Sequence, residues 1–209
     1  MRVFMKSACE VLIYLLAAFS IAVIITTNIS IFLLHSFKYG SVTQAEILSD
    51  YRHLLMYLQY PFVSQLKLQY LPISNSATMH FQMVRRLLIA NEILCPVCWG
   101  MIIINSRNIK KRSQLLWLIS LINYVCIFLL MFIGLTLVNF ESSFVNFHYL
   151  LFGSNRDWIF NPKVDPIILA MPPSFFLELF CICFGTVILI LILIRYYNRR
   201  NLFRGKFRL

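Results

Sequence analysis

Four long apolar stretches run through this chain of 209 residues, and they decide what solvent it folds in. They lie near 11–34, 87–104, 115–138 and 175–194. At about 1.5 Å of rise per residue, a helix of each length reaches across a hydrocarbon core of about 30 Å. Inside hydrocarbon every backbone N–H and C=O needs a partner within the protein, so such stretches are read as helices. Composition points the same way, with 60% hydrophobic and only 13% charged residues. A soluble domain would carry roughly a quarter charged residues. The expected fold is an all-α membrane protein: one integral membrane domain over 1–209, with four transmembrane helices and two extracytoplasmic helical loops, at 36–86 and 139–173. The second stretch is the least regular, being short and containing Asn91, Glu92 and Pro96. The first is longer than the roughly 7–15 residues of a signal-peptide core and reads as an uncleaved anchor.

The net charge is +11, but its distribution says more than its sum. Arg2 and Lys6 precede the first stretch, and Arg107, Lys110, Lys111 and Arg112 fill the short link between the second and third. Arg195, Arg199, Arg200, Arg204, Lys206 and Arg208 crowd the C-terminal tail. The other two segments hold fewer cations per residue, offset by Glu46, Asp50, Glu141, Asp157 and Asp165. The positive-inside bias therefore puts both termini and the basic link in the cytoplasm. The tail is expected to lie on anionic headgroups, and no nucleic-acid-binding module is present.

Both outer segments carry helix signals. Thr43 and Glu46 have the spacing of a capping box, and Ile47, Leu48, Tyr51, Leu54, Leu55 and Leu58 then recur at helical intervals. This predicts an amphipathic interfacial helix that Tyr60-Pro61 ends. Met79, Met83 and Val84 lead helically into the second stretch. In the other segment Phe144, Phe147, His148, Leu151 and Phe152 share one helical face, with Gly153 placed to terminate it. Asn155–Pro166 reads as an irregular loop, and Pro172-Pro173 precedes the fourth stretch, where proline suits a helix start.

The chemistry on offer is narrow. The sequence contains no G-x-S-x-G elbow, no H-E-x-x-H metal site and no phosphate-binding glycine loop. All six cysteines fall in or beside the apolar stretches. Cys95-Pro-Val-Cys98 raises the alternative of a quinone-linked membrane thiol-disulfide oxidoreductase. That chemistry needs a second cysteine pair to relay electrons, and the outer segments offer none, so packing is the favoured reading. His35 and His53 read as interface or solvated residues. His80 and His148 fall on helices of different outer segments, near the membrane plane. Spacing alone leaves open whether they are hydrogen-bonded core residues or an acid–base pair. A non-catalytic membrane scaffold or transporter subunit remains a further alternative, although no paired half-repeats are evident.

At these residues the sequence resembles a known family. Met79-His80-Phe-Gln-Met-Val84-Arg85 resembles that family's His-Met-x-Asp-Val-Arg-like stretch. Asn146-Phe147-His148-Tyr-Leu-Leu-Phe152, Asp157-Trp158-Ile-Phe160-Asn-Pro162-Lys-Val-Asp165 and Met171-Pro172-Pro-Ser-Phe175-Phe176 resemble its second, more specific segment. The family is the lipoprotein intramolecular transacylases (Lit) of Gram-positive bacteria, and the resemblance covers essentially the whole chain. Two positions depart from its pattern: Met83 stands where Asp is expected, and Pro173 where Glu is expected.

The resemblance implies an acyltransferase of the bacterial cell membrane, with its active site at the extracytoplasmic face. Its partners are diacylglyceryl lipoproteins and membrane lipid. It would move the sn-2 acyl chain to the α-amine of the N-terminal cysteine and leave a lyso-form lipoprotein. His80 and His148 are the expected catalytic residues, with neither assigned as base or acid. Arg85, Trp158 and Asp165 are the expected substrate-binding residues. Arg85 and Trp158 are candidates for the oxyanion or ester carbonyl, and each is otherwise an interface anchor. Asp165 would orient a histidine or fix the second loop, and is otherwise a cap before Pro166. No metal or cofactor is expected.

Overall fold

The computed structural model describes residues 1–106 and 111–204. Of the basic positions named above, Arg107, Lys110, Lys206 and Arg208 lie outside the described residues. Among the described residues the structure is helical: α1 (Arg2–Ile29), α2 (Gln44–Gln59), α3 (Asn75–Ser106), α4 (Arg112–Val138), α5 (Phe140–Phe152) and α6 (Pro173–Arg204). Two short 3-10 turns, Ser30–Phe32 and Pro166–Ala170, complete it. No strand forms among these residues, only an isolated bridge between Tyr39 and Val42. Helices α1, α3, α4 and α6 are long and apolar enough to cross a membrane. The weak second stretch is carried by one continuous α3 of 32 residues with Pro96 inside it. A proline is tolerated in an apolar helix of this kind because neighbouring groups and local adjustment satisfy the freed carbonyl.

The chain divides into two compact units. The first comprises 1–24, 93–137 and 181–209, and thus a segment of each long helix. Its core joins Val11, Tyr14, Ala18 and Ala22 of α1 to Leu115, Leu118 and Ile122 of α4 and to Val187 and Leu191 of α6, with Ile102 of α3 packed on it. Ser7, Ala17, Ala18, Ser20 and Ala22 are all fully buried. Such small residues let helix backbones approach closely, which drives association where lipid is as apolar as the side chains. The buried Glu10 carboxylate accepts a hydrogen bond from Gln114 Nε2 at 2.6 Å. This is a polar tie between α1 and α4 of the kind that adds specificity to an apolar interface.

The second unit comprises 25–92 and 138–180. Helix α2 starts at the expected capping box: Thr43 Oγ1 accepts from the Glu46 amide at 3.3 Å, and Glu46 Oε2 accepts from the Thr43 amide at 2.8 Å. Ile47, Tyr51, Leu54 and Leu58 form its buried stripe, packed with Leu66, Leu71, Ile167, Ala170 and Phe175. The Asp50 carboxylate, also buried, accepts from the amides of Gln69, Tyr70 and Leu71 at 2.7, 3.0 and 2.8 Å. Those bonds offset its loss of hydration and pin the segment after α2 onto the helix. Helix α5 is capped by Asn139, whose side chain accepts from the Ser142 amide. It ends at Gly153, whose φ of +61° is costly for a residue with a Cβ.

Candidate active site

The start of α3 is built from the other side of the second unit. Asp165 Oδ1 accepts from the Ser74 amide at 2.7 Å, and Asp165 Oδ2 from the Ser74 hydroxyl at 3.0 Å. Ser74 Oγ in turn accepts from the Ala77 amide at 3.0 Å, which serves one of the orphan donors at the start of α3. Within the same turn, Ser76 Oγ donates to Asp157 at 2.7 Å. Two carboxylates from the segment between α5 and α6 thus clamp the first turn of α3. The next turn presents His80. The Asp157 carboxyl is held below its ordinary range by the hydrogen bonds from Ser76 and Asn155, with a smaller contribution from the charge of His80.

His80 and His148 converge. Their ring centroids are 5.9 Å apart, although 68 positions of sequence separate them, and both are buried, at 7% and 9% exposed. Rings enclose the pair. Phe152 and Phe160 stand edge-on to His80 at 4.9 and 5.6 Å, while Phe144 lies 4.2 Å from His148. Trp158 stacks on His148 at 4.6 Å with an interplanar angle of 30°. Helix α5 delivers Phe144, His148 and Phe152 on one face, as its spacing predicts, and His148 is its buried residue.

The hydrogen bonds decide what these rings can do. His148 Nδ1 lies 2.8 Å from the carbonyl oxygen of Phe144 one turn earlier. A carbonyl only accepts, so Nδ1 carries the proton, and Nε2 of the neutral ring is left as a proton acceptor. Burial pushes the His148 pKa below its ordinary 6.5, and the Phe144 carbonyl opposes that shift only in part. Two further polar atoms in this nest of rings, His80 Nδ1 and Trp158 Nε1, are buried without a hydrogen-bond partner. Buried polar groups are almost always paired, because leaving one bare costs about 1–3 kcal/mol. The two bare ones beside a paired histidine are a ring nitrogen and an indole N–H, both free to bond to a molecule placed between the rings.

The remaining expected residues lie differently. Asp165 reaches Ser74 and no imidazole among its hydrogen bonds, which ties the segment before Pro166 to the start of α3. It occupies the position before the Pro166–Ala170 turn without a side-chain cap bond there. Arg85 lies over the Tyr57 ring at 4.5 Å. Its guanidinium donates to the carbonyls of Tyr60 and Pro61, at 3.1 and 2.9 Å, and to that of Val63. His35 is exposed, with Nε2 3.5 Å from Ser174 Oγ. Ser74, Ser76 and Asp157 were not expected at the site. A serine two residues before another at a helix start is a faint signal, and nothing in the spacing of Asp157 pairs it with Ser76. Among the described residues no cluster of three or more His, Cys, Asp or Glu could hold a metal ion.

Known proteins resemble this chain over most of its length. The family model for the lipoprotein intramolecular transacylase Lit matches residues 7–176. The membrane-integral lipoprotein intramolecular transacylase Lit from Bacillus cereus, solved in meso, is 28% identical over 95% of this chain and 98% of its own, with a TM-score of 0.67. Two variants of that protein, in which one histidine is replaced by arginine or by alanine, are 25% and 26% identical, with TM-scores of 0.62 and 0.59. The matches cover 98% and 99% of this chain and 96% and 99% of theirs. No curated protein sequence matches. With more than half its length matched by the family model, the chain belongs to the lipoprotein intramolecular transacylase Lit family.

Proposed function

We propose that this protein transfers the sn-2 acyl chain of a diacylglyceryl lipoprotein to the α-amine of the lipoprotein's own N-terminal cysteine, with His148 and His80 as base and acid. The observation that carries this reading is the pairing of the two buried imidazoles, one with a fixed tautomer and the other with an unpartnered ring nitrogen, inside an aromatic enclosure suited to an acyl chain.

Donor ester and acceptor amine belong to one molecule, so binding that brings them into contact replaces most of the entropy of a bimolecular encounter. The amine nitrogen attacks the ester carbonyl carbon, and a C–N bond forms as the carbonyl π pair moves onto oxygen. His148 Nε2 takes the proton that the amine loses. The α-amine has an ordinary pKa of about 7.7–8.0, so a neutral fraction is present at neutral pH. The oxyanion needs a donor, and Trp158 Nε1–H is an unpaired one beside His148. When the tetrahedral species collapses, the C–O bond breaks and the glyceryl oxygen leaves with the proton that His148 took from the amine, passed on by way of His80. The products are an amide and a free sn-2 hydroxyl. That relay leaves both rings neutral, as they began. No group on the enzyme is acylated, and Ser74, Ser76, Asp157 and Asp165 act by holding His80 and Trp158 in place. The charge asymmetry further supports an extracytoplasmic site reached sideways from the outer leaflet.

Mass spectrometry of lipoprotein N-termini from cells expressing this protein tests the reading. Parental cells yield the N-acyl lyso form, and His148→Ala reduces it by about 100-fold or more. Parental levels of that product from the variant would exclude His148 as the base. The thiol-redox alternative makes a separate claim, that Cys95→Ser abolishes function; the acyl-transfer reading expects this variant to work normally.

A further inference from the structure

A hollow in the same unit differs from the histidine enclosure in its lining and its chemistry. It has a volume of about 320 Å³ and is lined by Tyr57, Pro61, Ser64, Gln82, Arg85, Arg86 and Ile89. Two guanidiniums face it and no acid lines it, so its net charge is positive. Arg85 is locked in place: its bonds to three loop carbonyls and its seat on Tyr57 make it a fixed positive wall. Arg86 is exposed, Gln82 lies one turn before it on α3, and Ser64 lines the hollow from the loop. Positions 82, 85, 86 and 89 follow the three- and four-residue spacing of one helical face. Along that face the lining changes from amide and guanidinium to the alkyl side chain of Ile89, in the direction in which α3 becomes its apolar stretch.

A cation pair joined to an amide and a hydroxyl suits a phosphate, which a guanidinium grips through paired, charge-assisted hydrogen bonds. The polar-to-apolar grading suits a phosphate that carries alkyl chains better than one free in solution. We propose that this hollow binds a phosphate-bearing group, supplied by the headgroup of an anionic phospholipid, with Arg86 as the contacting cation and Arg85 as the preorganised wall. The glyceryl thioether of a lipoprotein carries no phosphate, so this is a bystander-lipid site beside the reaction centre and not part of it. Bound lipid would brace the loop after α2 against α3, since Arg85 already ties Tyr60–Val63 to that helix.

The test uses the full chain in a non-ionic detergent and follows the thermal unfolding midpoint during three titrations: short-chain phosphatidylglycerol, a short-chain diacylglycerol without phosphate, and inorganic phosphate. Phosphatidylglycerol is expected to raise the midpoint saturably. Arg86→Gln should weaken that binding by about tenfold or more, the loss of a charge-assisted contact. Arg52→Gln, which removes an exposed cation outside the hollow, should leave it unchanged. Because Arg86 is exposed, its substitution leaves the fold intact, and the midpoint without ligand checks this. Equal binding by Arg86→Gln and the parent, or by diacylglycerol and phosphatidylglycerol, would overturn the proposal. Inorganic phosphate binding as tightly as phosphatidylglycerol would overturn its lipid half, making a soluble anion the ligand.

Discussion

His148 is held by one carbonyl and a stack of rings, and that surrounding sets its charge as well as its position. Burial disfavours the imidazolium, so the folded protein binds a proton here less readily than the unfolded chain does. Stability from this group is therefore fully present above the ordinary value of 6.5 and is lost as pH falls below it, since the unfolded chain then takes up the proton first. The unfolding midpoint of the detergent-solubilised protein should fall between about pH 7 and pH 5, and His148→Phe should flatten part of that slope. A steeper slope in the variant would contradict the assignment. The two histidines stood out in the sequence because they fall on helices of different outer segments, and the family resemblance, not their spacing, pointed to acid–base work. Their environment was not legible: the Phe144 carbonyl, the stack on Trp158 and the bare His80 Nδ1 follow from the approach of two segments far apart in sequence, which no spacing along the chain encodes.

Helices show a different balance. Those whose signals are local were readable: the Thr43–Glu46 box starts α2, and Gly153 ends α5 with a positive φ that few other residues accept. The start of α3 was not readable, because its cap depends on a partner 91 positions away. Ser74 caps only while Asp165 holds both its amide and its hydroxyl. The Pro166–Ala170 turn was hidden for a similar reason, since Ile167 and Ala170 are buried by tertiary packing that gives a five-residue segment no period of its own. Asp165→Ala removes a buried acceptor and strands the Ser74 amide, which should cost about 1–3 kcal/mol. Chemical or thermal unfolding measures that loss. The transfer rate should drop as well, because His80 lies in the turn after the clamp. An unchanged midpoint would mean that Asp165 fixes nothing.

At the scale of the whole chain, the four apolar stretches and their charged flanks carried most of the information, because a membrane permits so few backbone arrangements. The charge bias predicts sides, and labelling tests that expectation. In a cysteine-free background, Ser154→Cys, at an exposed position after α5, should react with a membrane-impermeant maleimide on intact cells. Ser113→Cys, exposed near the start of α4, should react only after lysis. The opposite pattern would invert the topology and take the histidine pair away from the lipoprotein's side of the membrane.

The claim on which the mechanism rests is that His80 and His148 form one proton-transfer unit. Single-turnover rates of acyl migration, measured with purified parent, His80→Ala, His148→Ala and the double variant on one diacylglyceryl lipopeptide, address it most directly. Groups that act as a unit are strongly non-additive. The double variant should therefore be no more than about tenfold slower than the slower single, with each single already about 100-fold or more below the parent. Either single variant turning over at the parental rate, or two losses that simply multiply in the double, would contradict it.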